Sequence, residues 1–321
     1  MHAIIDVGSN TVRLNIYKLE YGRMSLVLTK KESVGLASYV KNGQMMPSGI
    51  LRVSQVLKEF KELLDDLGLT SVHVFATAAL RNAKNSKAAV EEVAQRSGLD
   101  VEVISGEMEA RLDFIGASHA VDVKDGLLVD IGGGSTELVP YKNGEIVYAM
   151  SIPMGSLNTY DQFVSNLLPT RAERKAIKQA VLEEIKRFQV LSKGSYPVIC
   201  GVGGTARAAN KLNIDLFQLP LGNSTIKVPN LKKMIKLLEN DEGATVPVET
   251  LDILLRVVPD RVRTLLPGMI ILQTIAKHFK SEAIEVTNAG ARDGYLYEKV
   301  LPEAEKERAR GGEADAPAAG N

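Results

Sequence analysis

The chain has 321 residues, enough for two ordinary domains with cores of their own. Its hydrophobic fraction of 45% and charged fraction of 24% lie in the globular range, and 39 Lys+Arg against 39 Asp+Glu leave no formal net charge, which excludes whole-chain attraction to nucleic acid or membrane. A single cysteine, Cys200 in the apolar run Val198-Ile199-Cys200, excludes an intrachain disulfide and reads as a core residue. No apolar run reaches the ~20 residues of a membrane span, and the start Met1-His2-Ala3-Ile4 has no basic segment before an apolar one, so a cytoplasmic location is expected.

In chain order, Ala3 to Val7 reads as a strand, followed by the loop Gly8-Ser9-Asn10-Thr11 and an alternating strand from Val12 to Tyr17. Gly22 marks a turn, and Met24 to Thr29 reads as a third strand. Ile50 to Leu67 carries apolar residues at helical spacing and stops at Gly68. A strand from Val72 to Ala76 leads into Thr77-Ala78-Ala79-Leu80-Arg81. A helix from Ser86 to Arg96 closes at Gly98, Val101 to Ile104 is a strand, and Ser105 caps a helix through Ala120 with a Met108-Leu112-Ile115 stripe beside Phe114. The opening pattern then returns. Leu127 to Ile131 and Glu137 to Tyr141 are strands around Gly132-Gly133-Gly134-Ser135-Thr136, the Asn143-Gly144 pair turns a hairpin, and Ile146 to Ile152 is a third strand. Thr170 to Leu191 is a charged amphipathic helix, Val198 to Cys200 a strand, and Gly201 to Thr205 a third glycine loop entering a helix. Pro220 to Pro229 reads as irregular. Helices follow over Leu231–Leu238, Val248–Val257 and Gly268–Phe279, then a strand at Ile284–Val286 and a last helix to about Leu301. The tail from Glu303, rich in charge, Ala and Gly, reads as disordered.

A strand, glycine loop, strand, hairpin, strand unit therefore occurs twice, and the loops echo each other as Asp6-Val7-Gly8-Ser9-Asn10-Thr11 and Asp130-Ile131-Gly132-Gly133-Gly134-Ser135-Thr136. Each sets an acid at a strand end ahead of small residues whose backbone N–H groups are free to cradle phosphate oxygens. Ser9, Asn10 and Ser135 add side-chain donors. Acids beside such loops repel an anionic ligand unless a cation intervenes, and Mg²⁺ suits a site of few carboxylates plus waters and phosphate oxygens. Asp130, Glu137 and Asp6 are the expected ligands. Arg81, after a strand end, is placed to fork onto phosphate oxygens, and Arg13 is a second candidate. Lys30 and Lys31 read as a solvated face. Gly201 to Thr205 reads equally as a ligand contact or as packing, and Asn288 and Arg292 carry little signal. His2, His73, His119 and His278 have no metal-ligand spacing.

Four motifs in order carry a resemblance to a family: Ile5-Asp6-Val7-Gly8-Ser9-Asn10-Thr11-Val12-Arg13, Thr77-Ala78-Ala79-Leu80-Arg81, Ile104-Ser105-Gly106-Glu107-Met108-Glu109-Ala110-Arg111 and Val129-Asp130-Ile131-Gly132-Gly133-Gly134-Ser135-Thr136-Glu137. The chain resembles the exopolyphosphatase/guanosine pentaphosphate phosphohydrolase family, within the actin–Hsp70–sugar kinase fold class, from Ala3 to about Leu301. The resemblance implies an α/β fold of two RNase H-like domains around a central cleft, expected over 1–122 and 123–302 with 303–321 as a tail. It implies a phosphoanhydride hydrolase acting on inorganic polyphosphate, on guanosine penta- or tetraphosphate, or on both, and a possible homodimer. The family's catalytic glutamate falls on Glu109, as general base toward water. On residue type alone, an acid in the first helical turn suits the positive helix end equally well, and that account covers the neighbouring Glu107. Larger members continue into a helical module that helps hold long polymer, so processivity is expected to be weaker here. The rival readings are an ATP-dependent kinase of the same fold class and a non-catalytic polyphosphate or alarmone sensor.

Overall fold

The computed structural model describes residues 1–20, 23–122, 124–188, 194–239 and 245–302. The Gly22 turn, residues 189–191 of the helix read to Leu191 and the 303–321 tail lie outside them; within them that helix ends earlier than read, at Lys186. The first half runs β1 (His2–Val7), β2 (Thr11–Glu20), β3 (Arg23–Ser33), a 3-10 turn (Leu36–Tyr39), β4 (Val40–Lys41), β5 (Gln44–Met45), α1 (Pro47–Asp66), β6 (Val72–Ala76), α2 (Ala78–Arg81), α3 (Ser86–Ser97), β7 (Glu102–Val103) and α4 (Gly106–Ser118). The second half runs β8 (Gly126–Ile131), β9 (Thr136–Lys142), β10 (Glu145–Ile146), β11 (Met150–Ile152), α5 (Ser156–Phe163), α6 (Arg171–Lys186), β12 (Val198–Val202) and α7 (Gly203–Phe217). It continues through β13 (Thr225–Lys227), α8 (Val228–Leu237), α9 (Val248–Val257), α10 (Leu265–His278), β14 (Ala283–Val286) and α11 (Ala291–Tyr295), which runs into a π-helical turn at Leu296–Val300.

The duplication read from the loops is a duplication of topology. The first sheet is ordered β3-β2-β1-β6-β7 and the second β10-β9-β8-β12-β14-β13, with β11 also on β9. In each, an antiparallel hairpin is followed by strands that return parallel to its first member, β1 with β6 and β8 with β12. This is the RNase H-like arrangement, and two copies of it give the actin-like α/β class. Local chemistry explains the punctuation. Gly68 and Gly98 adopt positive φ just past α1 and α3, and Asn143 and Gly144 both take positive φ in the β9–β10 turn. Ser105 Oγ accepts from the Met108 amide, and Thr170 and Glu173 form a reciprocal cap on α6.

Some elements differ from the sequence reading. The strand expected over Ile146–Ile152 is two short pieces. Glu145 and Ile146 pair with Lys142 and Tyr141, whereas Met150 pairs with Leu138, so the returning chain carries one extra residue opposite Pro140. Proline has no N–H for the ladder, and the strand bulges there. The stretch read as irregular before Pro229 contains β13, and α5 and the 3-10 turn, both short, carry no periodic signal.

The chain does not divide in space where it divides in sequence. Alternation along β1 sends Ala3, Ile5 and Val7 to the α1/α3 side and Ile4 to the other, where it meets Phe75, Tyr17 and Tyr295, Leu296 and Val300 from α11 and its π-turn. On β8, Leu127, Val129 and Ile131 face α6, α7 and α10, while Leu128 faces Ala110, Phe114 and Ala117 of α4. The last helix of each half thus covers the inner face of the other half's sheet. A boundary at 122/123 separates α4 from the sheet it packs on. The Met108-Leu112-Ile115 stripe is only one of the apolar sides of α4, because the helix is sandwiched between layers.

The two exchanged helices meet backbone to backbone. A Cβ on Gly294 would overlap the Leu112 carbonyl, and one on Gly116 would overlap that of Gly290. Gly294→Ala is therefore expected to lower unfolding stability by ~1–3 kcal/mol or more in urea titration. Gly222→Ala, with nothing within 4 Å of the added carbon, serves as the control at under ~0.5 kcal/mol. Equal stability of the two variants would contradict this close crossing.

Candidate active site

The paired loops lie against each other at the junction of the two sheets. Both have the same internal closure: the Gly8 amide donates to Thr11 O at 3.0 Å, and the Gly132 amide donates to Ser135 O at 3.0 Å. In both, the loop carbonyls are taken up by the amides that follow each unit's last hairpin strand. Val34 and Gly35 donate to Asn10 O and Ala37 to Ser9 O, while Ser156 donates to Gly132 O and Leu157 and Asn158 to Gly133 O. The Asn158 side chain donates to Gly134 O as well. The amides of Ser9, Asn10, Gly133 and Gly134 make no backbone hydrogen bond among the described residues. Carbonyls tied back and amides left over are the form of backbone nest that suits an anion.

Between the loops is a cavity of about 110 Å³. It collects Asp6, Gly8, Ser9, Asn10, Thr11, Arg13, Glu109, Asp130 and Gly132 to Ser135 of the expected set, and adds Asp113, Arg207, Arg261 and Arg292. Drug-sized ligands need roughly 300–1,000 Å³, so this space fits the end of an anionic chain and little more. Among the described residues no aromatic side chain lines it.

Three expected residues sit elsewhere. Arg81 is on the one-turn α2 and reaches across to donate to Glu109 Oε2 at 2.6 Å and to Ile104 O at 3.3 Å, so it holds the acid from behind and does not line the cavity. Thr136 is fully buried and donates to the Met154 carbonyl. Glu137 is 1% exposed and accepts from Ser135 Oγ and Ser151 Oγ, each at 2.7 Å, one layer behind the loop. Asp6 is paired with Arg292 at 2.7 Å. Among the described residues no three His, Cys, Asp or Glu side chains group as a metal set, so Asp6, Asp130 and Glu137 do not form one by themselves. Asp130 does offer what a cation needs: it lines the cavity, and its Oδ1 is buried against Gly203 without a hydrogen-bond partner.

The register makes the two halves electrically unlike. Asp6 pairs across the hairpin with Arg13, and Asp130 with Glu137. Four acids, Asp6, Glu109, Asp113 and Asp130, share the cavity with four arginines. Burial raises Glu109 to about 7, with Arg81 pulling it back and Asp6 and Asp130 adding to the rise. Burial also lifts Asp113 and Glu137 well above the usual carboxylate range, and Asp130 above it. Burial, then Arg292 and Arg207, lowers Arg13 to about 10; burial, then Arg292, lowers Arg207; burial lowers Arg261. Crowded guanidiniums gain from an added anion.

Sequence reasoning missed three of these arginines, because each becomes a site residue only through tertiary structure. Arg207 is one turn into α7, and Arg261 closes a short 3-10 turn (Pro259–Arg261) and lies over Gly204. Arg292 opens α11. The third glycine loop now has a physical role. Gly203 holds φ +81° beside Asp130, where any Cβ would overlap the carboxylate, and Thr205 donates to Ile131 O at 2.8 Å. Lys31, read as solvated, instead bridges the halves to Asp260.

The Ppx/GppA phosphatase family model matches residues 15–303. The chain belongs to this family. The motif resemblance is thereby borne out over nearly its whole expected extent. A family member from Aquifex aeolicus is 29% identical, with 94% of this chain and 97% of that chain covered and a TM-score of 0.73. An Aquifex aeolicus PPX-GPPA enzyme structure is 30% identical over 92% and 97%, with a TM-score of 0.71. An exopolyphosphatase from Cytophaga hutchinsonii is 24% identical over 92% and 96%, with a TM-score of 0.79, a likeness of fold.

Arg207→Ala and Arg261→Ala are each expected to weaken tripolyphosphate binding by about tenfold or more, the scale of a hydrogen bond to a charged group. Isothermal calorimetry measures it. Affinities equal to the unmodified protein's would remove these side chains from the anion site.

Proposed function

We propose that this protein hydrolyses the terminal phosphoanhydride bond of linear inorganic polyphosphate and releases orthophosphate, with Glu109 as general base. The observation that carries the reading is the position and poise of Glu109. It projects from the first turn of α4 into a cavity walled by two amide nests, held by Arg81 at 2.6 Å and brought to about 7 by burial. A base that titrates near neutrality is suited to take a proton from water.

The terminal phosphate oxygens lie on the amides of Ser9, Asn10, Gly133 and Gly134, with Arg13, Arg207, Arg261 and Arg292 offsetting their charge. Water attacks the terminal phosphorus and yields a proton to Glu109. The bridging P–O bond breaks, and the shortened chain leaves with the bridging oxygen. Positioning and charge neutralisation supply most of the acceleration in such transfers. Mg²⁺ fits the unpartnered Asp130 carboxylate and, when bound, supplies further neutralisation of the phosphate oxygens. Asp6 and Glu137 are already engaged, with Arg292 and with two serines.

The name of the Cytophaga hutchinsonii relative, an exopolyphosphatase, agrees with this reading. The size of the cavity and its lack of aromatic lining favour an inorganic chain over guanosine penta- or tetraphosphate, whose base finds no stacking surface there. The same features disfavour an ATP-dependent kinase, which needs an adenine slot and an acceptor pocket. A base poised near neutrality disfavours a pure sensor.

Glu109→Gln is expected to cut phosphate release by ~10²–10⁴-fold while keeping the fold. With the unmodified protein, kcat/KM falls tenfold per pH unit below about 7, because protonated Glu109 cannot accept from water. Arg81 favours the charged carboxylate, so Arg81→Ala moves that acid limb to higher pH. Phosphate release by Glu109→Gln near the unmodified rate, or a limb that Arg81→Ala does not move, would contradict the assignment.

A further inference from the structure

The four acids of the cavity divide into two kinds. Asp6 has Arg292 at 2.7 Å and Glu109 has Arg81 at 2.6 Å. Asp113 and Asp130 have no ion-pair partner among the described residues. Asp113 is 1% exposed, and neither of its carboxylate oxygens is hydrogen-bonded; Asp130 Oδ1 is likewise buried and alone. The Ala291 amide eases the Asp113 charge, but not in hydrogen-bonding geometry.

Asp113 stands one helical turn beyond Glu109 on α4, at i+4, and so shares its face of the helix. It is not part of the four motifs that carry the family resemblance. Glycines flank both lone carboxylates. A Cβ on Gly203 would overlap Asp130 Oδ1, and one on Gly290 would stand 3.3 Å from Asp113 Oδ1. Both residues line the cavity, and no hydrogen bond or ion pair among the described residues satisfies these buried oxygens, Arg207, Arg292 and Arg261 acting on Asp130 only from a distance. Bare buried carboxylates are costly unless something else pairs with them.

We infer that Asp113 and Asp130 together are the protein's ligands for the divalent cation of this cavity. Mg²⁺ is commonly held by one or two carboxylates, with water and substrate phosphate oxygens completing the shell. Two acids lining a phosphate-sized space match that demand, and the absence of a three-residue metal group among the described residues is in keeping with it. The inference rests on the metal-assisted reading and replaces its expected ligand set, Asp130 with Glu137 and Asp6, by one residue from α4 and one from β8. Because α4 belongs in sequence to the first half and β8 to the second, the cation would also bind the two halves to each other.

The test is a titration of the metal-free full-length protein with Mn²⁺, read by loss of the free-ion electron paramagnetic resonance signal, with orthophosphate present. The unmodified protein is expected to bind one Mn²⁺ per chain, and Asp113→Asn to bind it at least tenfold more weakly. Glu107→Gln, exposed on the same helix, should bind as the unmodified protein does. Asparagine is the isostere of a merely protonated aspartate, so equal Mn²⁺ affinity in Asp113→Asn would overturn the inference and leave the metal reading standing. No Mn²⁺ binding by the unmodified protein would overturn both. Melting temperature gives an independent readout: Mn²⁺ should raise it in the unmodified protein and leave it unmoved in Asp113→Asn.

Discussion

The structure depends on one backbone constraint applied twice. After the first strand of each sheet the chain turns through small residues, and the amides that follow the hairpin fold back to take that loop's carbonyls. Val34, Gly35 and Ala37 do this for Ser9 and Asn10; Ser156, Leu157 and Asn158 do it for Gly132 and Gly133. With these acceptors taken, the amides of Ser9, Asn10, Gly133 and Gly134 are left without a backbone acceptor among the described residues. The two nests then face each other closely enough that Cβ atoms on Gly133 and Gly134 would press on Ser9 and Asn10. Small residues are required there because backbone must approach backbone.

Around this frame, charge is placed in a buried space that would not tolerate it unbalanced. Two acids are matched by arginines at ion-pair distance, and burial, with Arg292 and Arg207 close by, brings Arg13 down to about 10. Such an arrangement would be completed by an anion, as the proposed function requires. The exchanged helices couple the site to the domain interface. α4 carries Glu109 and Asp113 while packing on the second sheet, and α11 carries Arg292 while packing on the first. A shift of one half against the other therefore moves the acids relative to the loop they serve. At the rim the halves also touch through Lys31 with Asp260 and Ser38 with Asp161, contacts exposed enough to exchange readily with water.

Much of this was legible in the sequence because it is local. Strand–loop–strand repeats, Gly68 and Gly98 as helix stops, Asn143-Gly144 as a turn and Ser105 as a cap each depend on a few neighbouring residues. That Glu109 and the two loops meet at one cavity was legible because their motifs lie on single elements. Charge partnership was not. Arg81 has the residue type of a phosphate ligand, and only the fold shows its guanidinium spent on Glu109. Glu137 has the type of a metal ligand, and only the β9–β11 pairing brings Ser151 onto it. Arg207, Arg261, Arg292 and Asp113 reach the cavity from helices and a short turn far apart in sequence. The exchange of α4 and α11 between sheets is likewise invisible to periodicity, which reports that a helix has an apolar side and not whose sheet it faces.

The central claim is that both loops present their free amides to one phosphate group. The most direct measurement is amide chemical-shift mapping of isotope-labelled protein titrated with tripolyphosphate and Mg²⁺, using Glu109→Gln to prevent turnover. The account predicts that the Ser9, Asn10, Gly133 and Gly134 resonances all move, with one common dissociation constant. Movement confined to one loop, or none at either, would contradict it.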